Sequence, residues 1–345
     1  MADPGPLLDR WNYYCDDTQI KTIEQILQTY VEGDAPALCS ACFLVADRYE
    51  TAFAKAYGST DLHEGKPTTL DLLHWIASLT KLSTAVATLI AVEKGLVTLD
   101  ENVRDIVPEL ADLEVLEGFE DDGRPRFRKC TASISLRYVG KKTNAFTGSL
   151  DGCRYPLIFE PGKGWSYGSG MDWAGRTIKI TRPDLEADKV ELLWRDRDGT
   201  LAKKHFPFGP APNCCGGVGL FSTPNDQLKL LASLLRNEES DPIHFKQVLS
   251  GAKRAHISQT WPEGAKGEFG LSSAINKENF PERRAANSAG WQSMPSIHAW
   301  LDRTSGLAGL FTTQVLPPGD ATIIKTFCAL EEVVYHSRST KVELR

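Results

Sequence analysis

Ala77-Ser78-Leu79-Thr80-Lys81 opens a mostly apolar run that continues through Leu82, Ala85, Val86, Leu89, Ile90 and Val92 to Gly95. The run reads as a buried helix, closed by a glycine just past its end. Ser78 and Lys81 stand three residues apart, and on a helix such positions share one face. The spacing predicts a primary amine beside a hydroxyl at a helix N-terminus. There the outward-pointing N–H groups favour developing negative charge. Such a pair can activate a serine for attack on a carbonyl. The bland alternative is an N-cap serine with a solvated lysine, and spacing alone leaves both open.

Two other serines compete. Ser250-Gly251-Ala252-Lys253 repeats the S-x-x-K spelling, but Arg254 and His256 follow it, and it reads as a turn or a surface helix. Gly164-Trp165-Ser166-Tyr167-Gly168 fits G-x-S-x-G, which as a nucleophile elbow needs an apolar strand immediately before it. Glu160-Pro161-Gly162-Lys163 stands there instead, and Pro and Gly do not make a central strand. Tyr167 is the better chemical candidate in that stretch, with Ser166 its neighbour.

Composition narrows the function classes. A chain of 345 residues, 41% of them apolar, can build one large core or two moderate ones. A net charge of −6 argues against a nucleic-acid surface. No apolar run reaches the ~18 residues of a membrane span. Met1-Ala2-Asp3-Pro4-Gly5-Pro6 lacks the basic and apolar segments of a secretory signal, so a cytoplasmic protein with reduced cysteines is expected. Cys39-Ser40-Ala41-Cys42 looks like half a metal site. It lies in the strand-like run Leu38 to Ala46, where residues i and i+3 point to opposite faces, and no second ligand pair follows. Cys214 and Cys215 read as packing residues in a tight turn before Gly216-Gly217. Neither a metal nor an organic cofactor is expected.

The remaining elements follow from pattern. Asp17 is expected to cap a helix whose face carries Ile20, Ile23, Leu27, Tyr30 and Val31. Leu38 to Ala46 and Glu50 to Tyr57 read as antiparallel strands around Asp47-Arg48. Leu220 to Leu235 holds an amphipathic helix capped by Ser222 or Thr223, with Pro224 in its first turn. Ser296 to Asp302 and Gly306 to Leu316 form a hairpin, and Asp320 caps a C-terminal helix. Residues 117 to 165 show no periodicity. Strands and helices at both chain ends predict an α+β fold. Its antiparallel sheet would come from roughly 38–75 and 285–345, and a helical, loop-rich region of roughly 76–284 would be inserted between them.

Ser78-x-x-Lys81 taken with Tyr167-Gly168-Ser169 resembles the serine β-lactamase and penicillin-binding-protein superfamily. Within it, the chain looks like the class C-related esterases and transesterases, and most like the fungal LovD-type acyltransferases that decorate polyketides. The matching stretches are Ala77 to Lys81, Glu93-Lys94-Gly95-Leu96-Val97, Val115 to Phe119, Trp165 to Gly175, Gly216 to Ser222 and Gln314 to Asp320. They span most of the chain.

The resemblance implies a single β-lactamase/transpeptidase-like catalytic unit that forms an acyl-enzyme. By position, Ser78 is the nucleophile, Lys81 its base partner and Tyr167 a second proton relay. Ser78, Trp291, Gln292, Ser293, Ser169 and Trp173 would surround the substrate and its oxyanion. The implied partners are a small-molecule thioester or ester as acyl donor, an acyl-carrying synthase domain as its possible bearer, and an alcohol acceptor. No membrane and no nucleic acid is implied. The alternatives are an esterase or lactonase using the same serine, and a catalytically impaired relative or truncated gene model.

The chain departs from the family pattern in four places. In Ser288-Ala289-Gly290-Trp291-Gln292-Ser293-Met294-Pro295, Gln292-Ser293 replaces a Gly-Gly pair, and side chains there would narrow the site. Ser169 stands where class C enzymes carry Asn. Two segments that relatives carry are missing, one after Arg137 and one after Arg176, which predicts a shortened inserted region and a more open pocket.

Overall fold

The computed structural model describes residues 16–33, 36–63, 65–136, 156–161, 163, 168, 170–175, 190–204, 215–236, 261–262, 264–270 and 272–342. Ser250 and the two places where a shortening is expected, after Arg137 and after Arg176, lie outside the described residues.

Helix α1 spans Asp17–Val31. Its cap is Asp16 rather than Asp17: the Asp16 carboxylate accepts from Gln19 N–H, and the Gln19 side chain accepts from Asp16 N–H. This reciprocal capping box satisfies two N–H groups that would otherwise lack partners. Strands β1 (Ser40–Asp47) and β2 (Thr51–Gly58) form the expected hairpin. Helix α2 covers Thr80–Glu93 and α3 covers Pro224–Arg236, whose Asp226 N–H donates to Thr223 Oγ1 at 3.1 Å. Then come β3 (Gly267–Phe269), β4 (Ala274–Asn276), β5 (Ala289–Ser293), β6 (Ile297–Asp302) and β7 (Leu307–Thr312). Helix α4, Ala321–Val342, closes the chain, with Ile323 N–H donating to Asp320 Oδ1 at 3.0 Å.

The seven strands make one antiparallel sheet in the order β2-β1-β7-β6-β5-β4-β3. The sheet includes β3 and β4, so it begins before the expected boundary at residue 285. A hairpin of Glu114–Phe119 with Pro125–Lys129 also forms, most of it inside the stretch 117–165 that shows no periodicity. Its strands are largely exposed, so no buried face imposes the alternation that would announce them.

All eight residues of β1 are buried. Alternation sends Ala41, Phe43 and Val45 into a core shared with α1 and α4. Cys42, Leu44 and Ala46 enter a second core under α3. Cys39 and Cys42 are therefore packing thiols, with burial pushing Cys42 up to about 12 and Cys39, which is less deeply buried, up to about 11. Trp300 lies over Gly309, where an added Cβ would come within 1.9 Å of the indole. His298 stacks on Phe327 with ring centres 4.6 Å apart, and His74 pairs with Thr312 Oγ1 at 2.9 Å. Arg283 and Arg284 both bond the buried Glu331 carboxylate on α4.

Candidate active site

The serine turn is fixed before the helix begins. His74–Trp75 pairs antiparallel with Phe221–Ser222. Trp75 N–H donates to Gln314 Oε1 at 3.0 Å, and Gln314 Nε2 donates back to Trp75 O at 3.2 Å. The Trp75 indole N–H reaches Val218 O at 2.8 Å, and Ile76 N–H reaches Leu220 O at 3.1 Å. These bonds deliver the chain into Ala77 at φ 39°. An alanine in this region carries roughly 1–3 kcal/mol of backbone strain and persists only where its surroundings over-determine it. Ser78 follows inside a 3₁₀ turn, Ala77–Leu79, and α2 starts only at Thr80. Ser78 is thus not an N-cap; Leu79 holds that position and makes no side-chain cap bond.

Lys81 is not solvated either. It is 5% exposed, and its Nζ donates to Gly217 O at 2.6 Å. One turn on, Thr84 Oγ1 donates to Gly216 O at 2.7 Å. The glycine pair lies flat against α2, and Asp172 holds it from behind by accepting Gly217 N–H at 2.8 Å. A Cβ on Gly217 would stand 2.7 Å from Asp172 Oδ2. Burial raises the Asp172 carboxyl, and the nearby Lys81 charge opposes that rise. Asp172 carries no role in the sequence reading, although it sits inside the matched stretch Trp165 to Gly175. An acid two residues after a glycine does not reveal a partner 45 residues away in sequence.

The third wall is β5. Strand alternation turns Trp291 and Ser293 to the same face, and both meet the serine turn. Ser78 N–H donates to Ser293 Oγ at 3.0 Å, while the Ser293 hydroxyl donates to Ile76 O at 2.6 Å. Trp291 packs edge-on against Phe269 with centres 5.2 Å apart. Gln292 pairs in register with His298, and alternation carries its side chain to the opposite face. Trp173 is buried in a separate cluster with Val103, Val107, Leu110 and Ile134. Tyr167, Ser169 and Ser166 lie outside the described residues.

A shallow hollow opens to solvent beside Ser78. Leu79, Leu82, Leu231, Leu234 and Trp291 give it an apolar lining. Among the described residues, no group of His, Cys, Asp and Glu side chains is placed to hold a metal ion. No helix among them is long and apolar enough to cross a membrane.

These features can be set beside known proteins. The family model described as Beta-lactamase matches residues 23–179. A lovastatin esterase of Penicillium rubens is 28% identical over 79% of this chain and 87% of its own length. A monacolin J acid methylbutanoyltransferase of Aspergillus terreus is 26% identical over 75% of this chain and 81% of its own. Unliganded simvastatin synthase (LovD) from Aspergillus terreus superimposes with a TM-score of 0.82 at 22% identity, covering 94% of this chain and 100% of that one. The chain is therefore similar over residues 23–179 to the Beta-lactamase family model and, over most of its length, to relatives that include fungal acyltransferases and an esterase, and its α+β fold is the β-lactamase/transpeptidase-like fold of LovD.

Proposed function

We propose that this protein is a serine acyltransferase that moves a short aliphatic acyl group from a thioester or ester donor to a small-molecule alcohol. The observation that carries the reading is the serine turn itself. Ser78 follows a strained Ala77, and Lys81 is buried one turn later and held on Gly217. The relatives supply the reaction class, since one is named as an acyltransferase and another as an esterase of the same natural-product type.

In this reading, Ser78 Oγ attacks the donor's acyl carbon. A C–O bond forms, and the carbonyl π pair moves onto oxygen. The Ser78 proton passes to the relay of Lys81 and Tyr167, which returns it to the leaving thiolate or alkoxide as the old acyl bond breaks. The acceptor alcohol then gives its proton to the relay and attacks the acyl-enzyme, and Ser78 regains a proton on release. The apolar lining of the hollow suits an aliphatic acyl chain. The donor comes free or borne on an acyl-carrying synthase domain, and the acceptor is a fungal secondary metabolite. The described cysteines are all free thiols, which suits the reducing cytoplasm.

Hydrolysis by the same serine is the second reading, favoured by the esterase relative. It differs only in whether water or a bound alcohol reaches the acyl-enzyme. Labelling with a fluorophosphonate, followed by mass-spectrometric mapping, tests the nucleophile. Adduct at Ser78, lost in Ser78→Ala, is expected; adduct at Ser166 would replace the mechanism with an elbow. The partition of a p-nitrophenyl ester between an added alcohol and water then separates transferase from hydrolase.

A further inference from the structure

In acyl transfer by a serine, the nucleophile's own backbone N–H is a natural donor to the oxygen that becomes negative. The attacked carbon is bonded to that same residue's side chain, so its oxygen lies close to that amide. In this chain the Ser78 N–H already has an acceptor, Ser293 Oγ at 3.0 Å. The Ser293 proton is committed too, to Ile76 O at 2.6 Å. The hydroxyl therefore shows the Ser78 amide a lone pair and not a proton. It occupies the direction from which a developing oxyanion must draw its hydrogen bond.

The arrangement is rigid. Ser293 is 1% exposed, so no bulk water competes for the hydroxyl. Its backbone is fixed by β5, where Ser293 pairs with Ile297 and Trp291 with Ala299. The strand holds the Cα in place and leaves only rotation about χ1. On the other side, Ile76 O also accepts Leu79 N–H at 2.9 Å, so the Ser293 proton goes to an acceptor the 3₁₀ turn already uses.

We propose that Ser293 gates the oxyanion site: acylation of Ser78 requires the Ser293 hydroxyl to turn away from the Ser78 N–H, and that rotation limits the acylation rate. The proposal rests on Ser78 being the nucleophile. It makes Ser293 a positioning residue that restrains this enzyme, so removing its hydroxyl speeds the first half-reaction.

Ser293→Ala and Ser293→Gly test it in stopped-flow bursts with p-nitrophenyl acetate. An oxyanion donor is worth ~10²–10³ in rate, so freeing this one should raise the acylation rate constant at least about tenfold. Amide exchange at Ser78 should become faster in both variants, a change that lost stability elsewhere would not confine to this residue. A measurement on the unaltered protein needs no variant. In a crystal of the phenylboronic acid adduct, Ser293 Oγ should have rotated off the Ser78 N–H, with a boronate oxygen in its place. Acylation that is unchanged or slower in both variants overturns the gate. So does an adduct in which Ser293 Oγ keeps its bond to Ser78 N–H. If the unaltered protein shows no burst, no boronate adduct and no fluorophosphonate label at Ser78, the nucleophile reading falls and the gate falls with it. A burst in the unaltered protein without gain in the variants defeats the gate alone.

Discussion

Lowering the pH from 7 to 5 should destabilise this protein sharply, through two histidines that have no part in the proposed chemistry. Burial holds His74 down to about 4. His298 is held down to about 3 by burial first and then by the Arg284 and Arg283 charges. Among the described residues, neither Nε2 has a hydrogen-bond partner, so a proton taken up there finds no acceptor. In the unfolded chain both titrate near the ordinary ~6.5. A folded value below the unfolded one means stabilisation that is complete above about 6.5 and is lost as the pH falls toward the folded values. Between pH 7 and 5 the unfolded chain binds nearly one proton at each site, and the native protein binds almost none. Integrating ~1.36 kcal/mol per pH unit per proton gives roughly 2 kcal/mol for each histidine and about 4 kcal/mol for the pair. That is a large share of the ~5–15 kcal/mol that holds a typical domain together. Asp172 works in the opposite sense. Its folded value is raised, so its contribution is fullest at low pH and is lost as the pH rises, which makes the measured slope a lower bound. Urea denaturation at half-unit pH steps measures the slope. His298→Phe keeps the aromatic stack and should flatten the profile by about half, and adding His74→Gln should remove most of the rest. A double variant that keeps the slope of the unaltered protein would refute the reasoning.

Three further outcomes concern the site. Lys81→Ala should lower kcat by ~10²–10⁴ with little change in KM, as expected for a proton-transfer group; a raised KM with kcat intact makes Lys81 only a substrate contact. Tyr167→Phe should remove most of the turnover while Ser166→Ala keeps most of it, and the reverse ranking would favour the nucleophile elbow. Gly217→Ala should drive its Cβ into the Asp172 carboxylate and cost about 1–3 kcal/mol, together with turnover; a urea midpoint equal to that of the unaltered protein would show that the glycine pair has slack.

Strands and helices with a buried face were legible in the sequence because burial writes a period into it. β1, β2, the β6–β7 hairpin, α3 and α4 all stand where their apolar spacing puts them. The exposed hairpin at 114–129 carries no such period, and β3 and β4 are too short to show one. Ser78, Lys81 and the Trp291 strand were singled out as candidates by motif and resemblance. The bonds that fix them were not, because Asp172 to Gly217, Lys81 to Gly217 and Ser78 to Ser293 join segments 45, 136 and 215 residues apart. Nothing local to either partner announces such a bond. The buried Glu331 shows the same limit. In the sequence it is one more acid on a helix, and only the fold brings both arginines to it.

The bonds that bring the chain into Ala77 have a kinetic consequence. Their partners are Leu220, Val218 and Gln314, so the turn cannot be assembled until residue 314 is available. A growing chain on the ribosome carries the serine long before it carries the means to arm it. Contacts this distant close late, after local helices and hairpins have formed. Competence for acyl-enzyme formation should therefore return only in the slowest phase of refolding, well after the helical circular dichroism signal is complete. With Ser78 as the proposed nucleophile, the last folding step would double as the step that arms the serine.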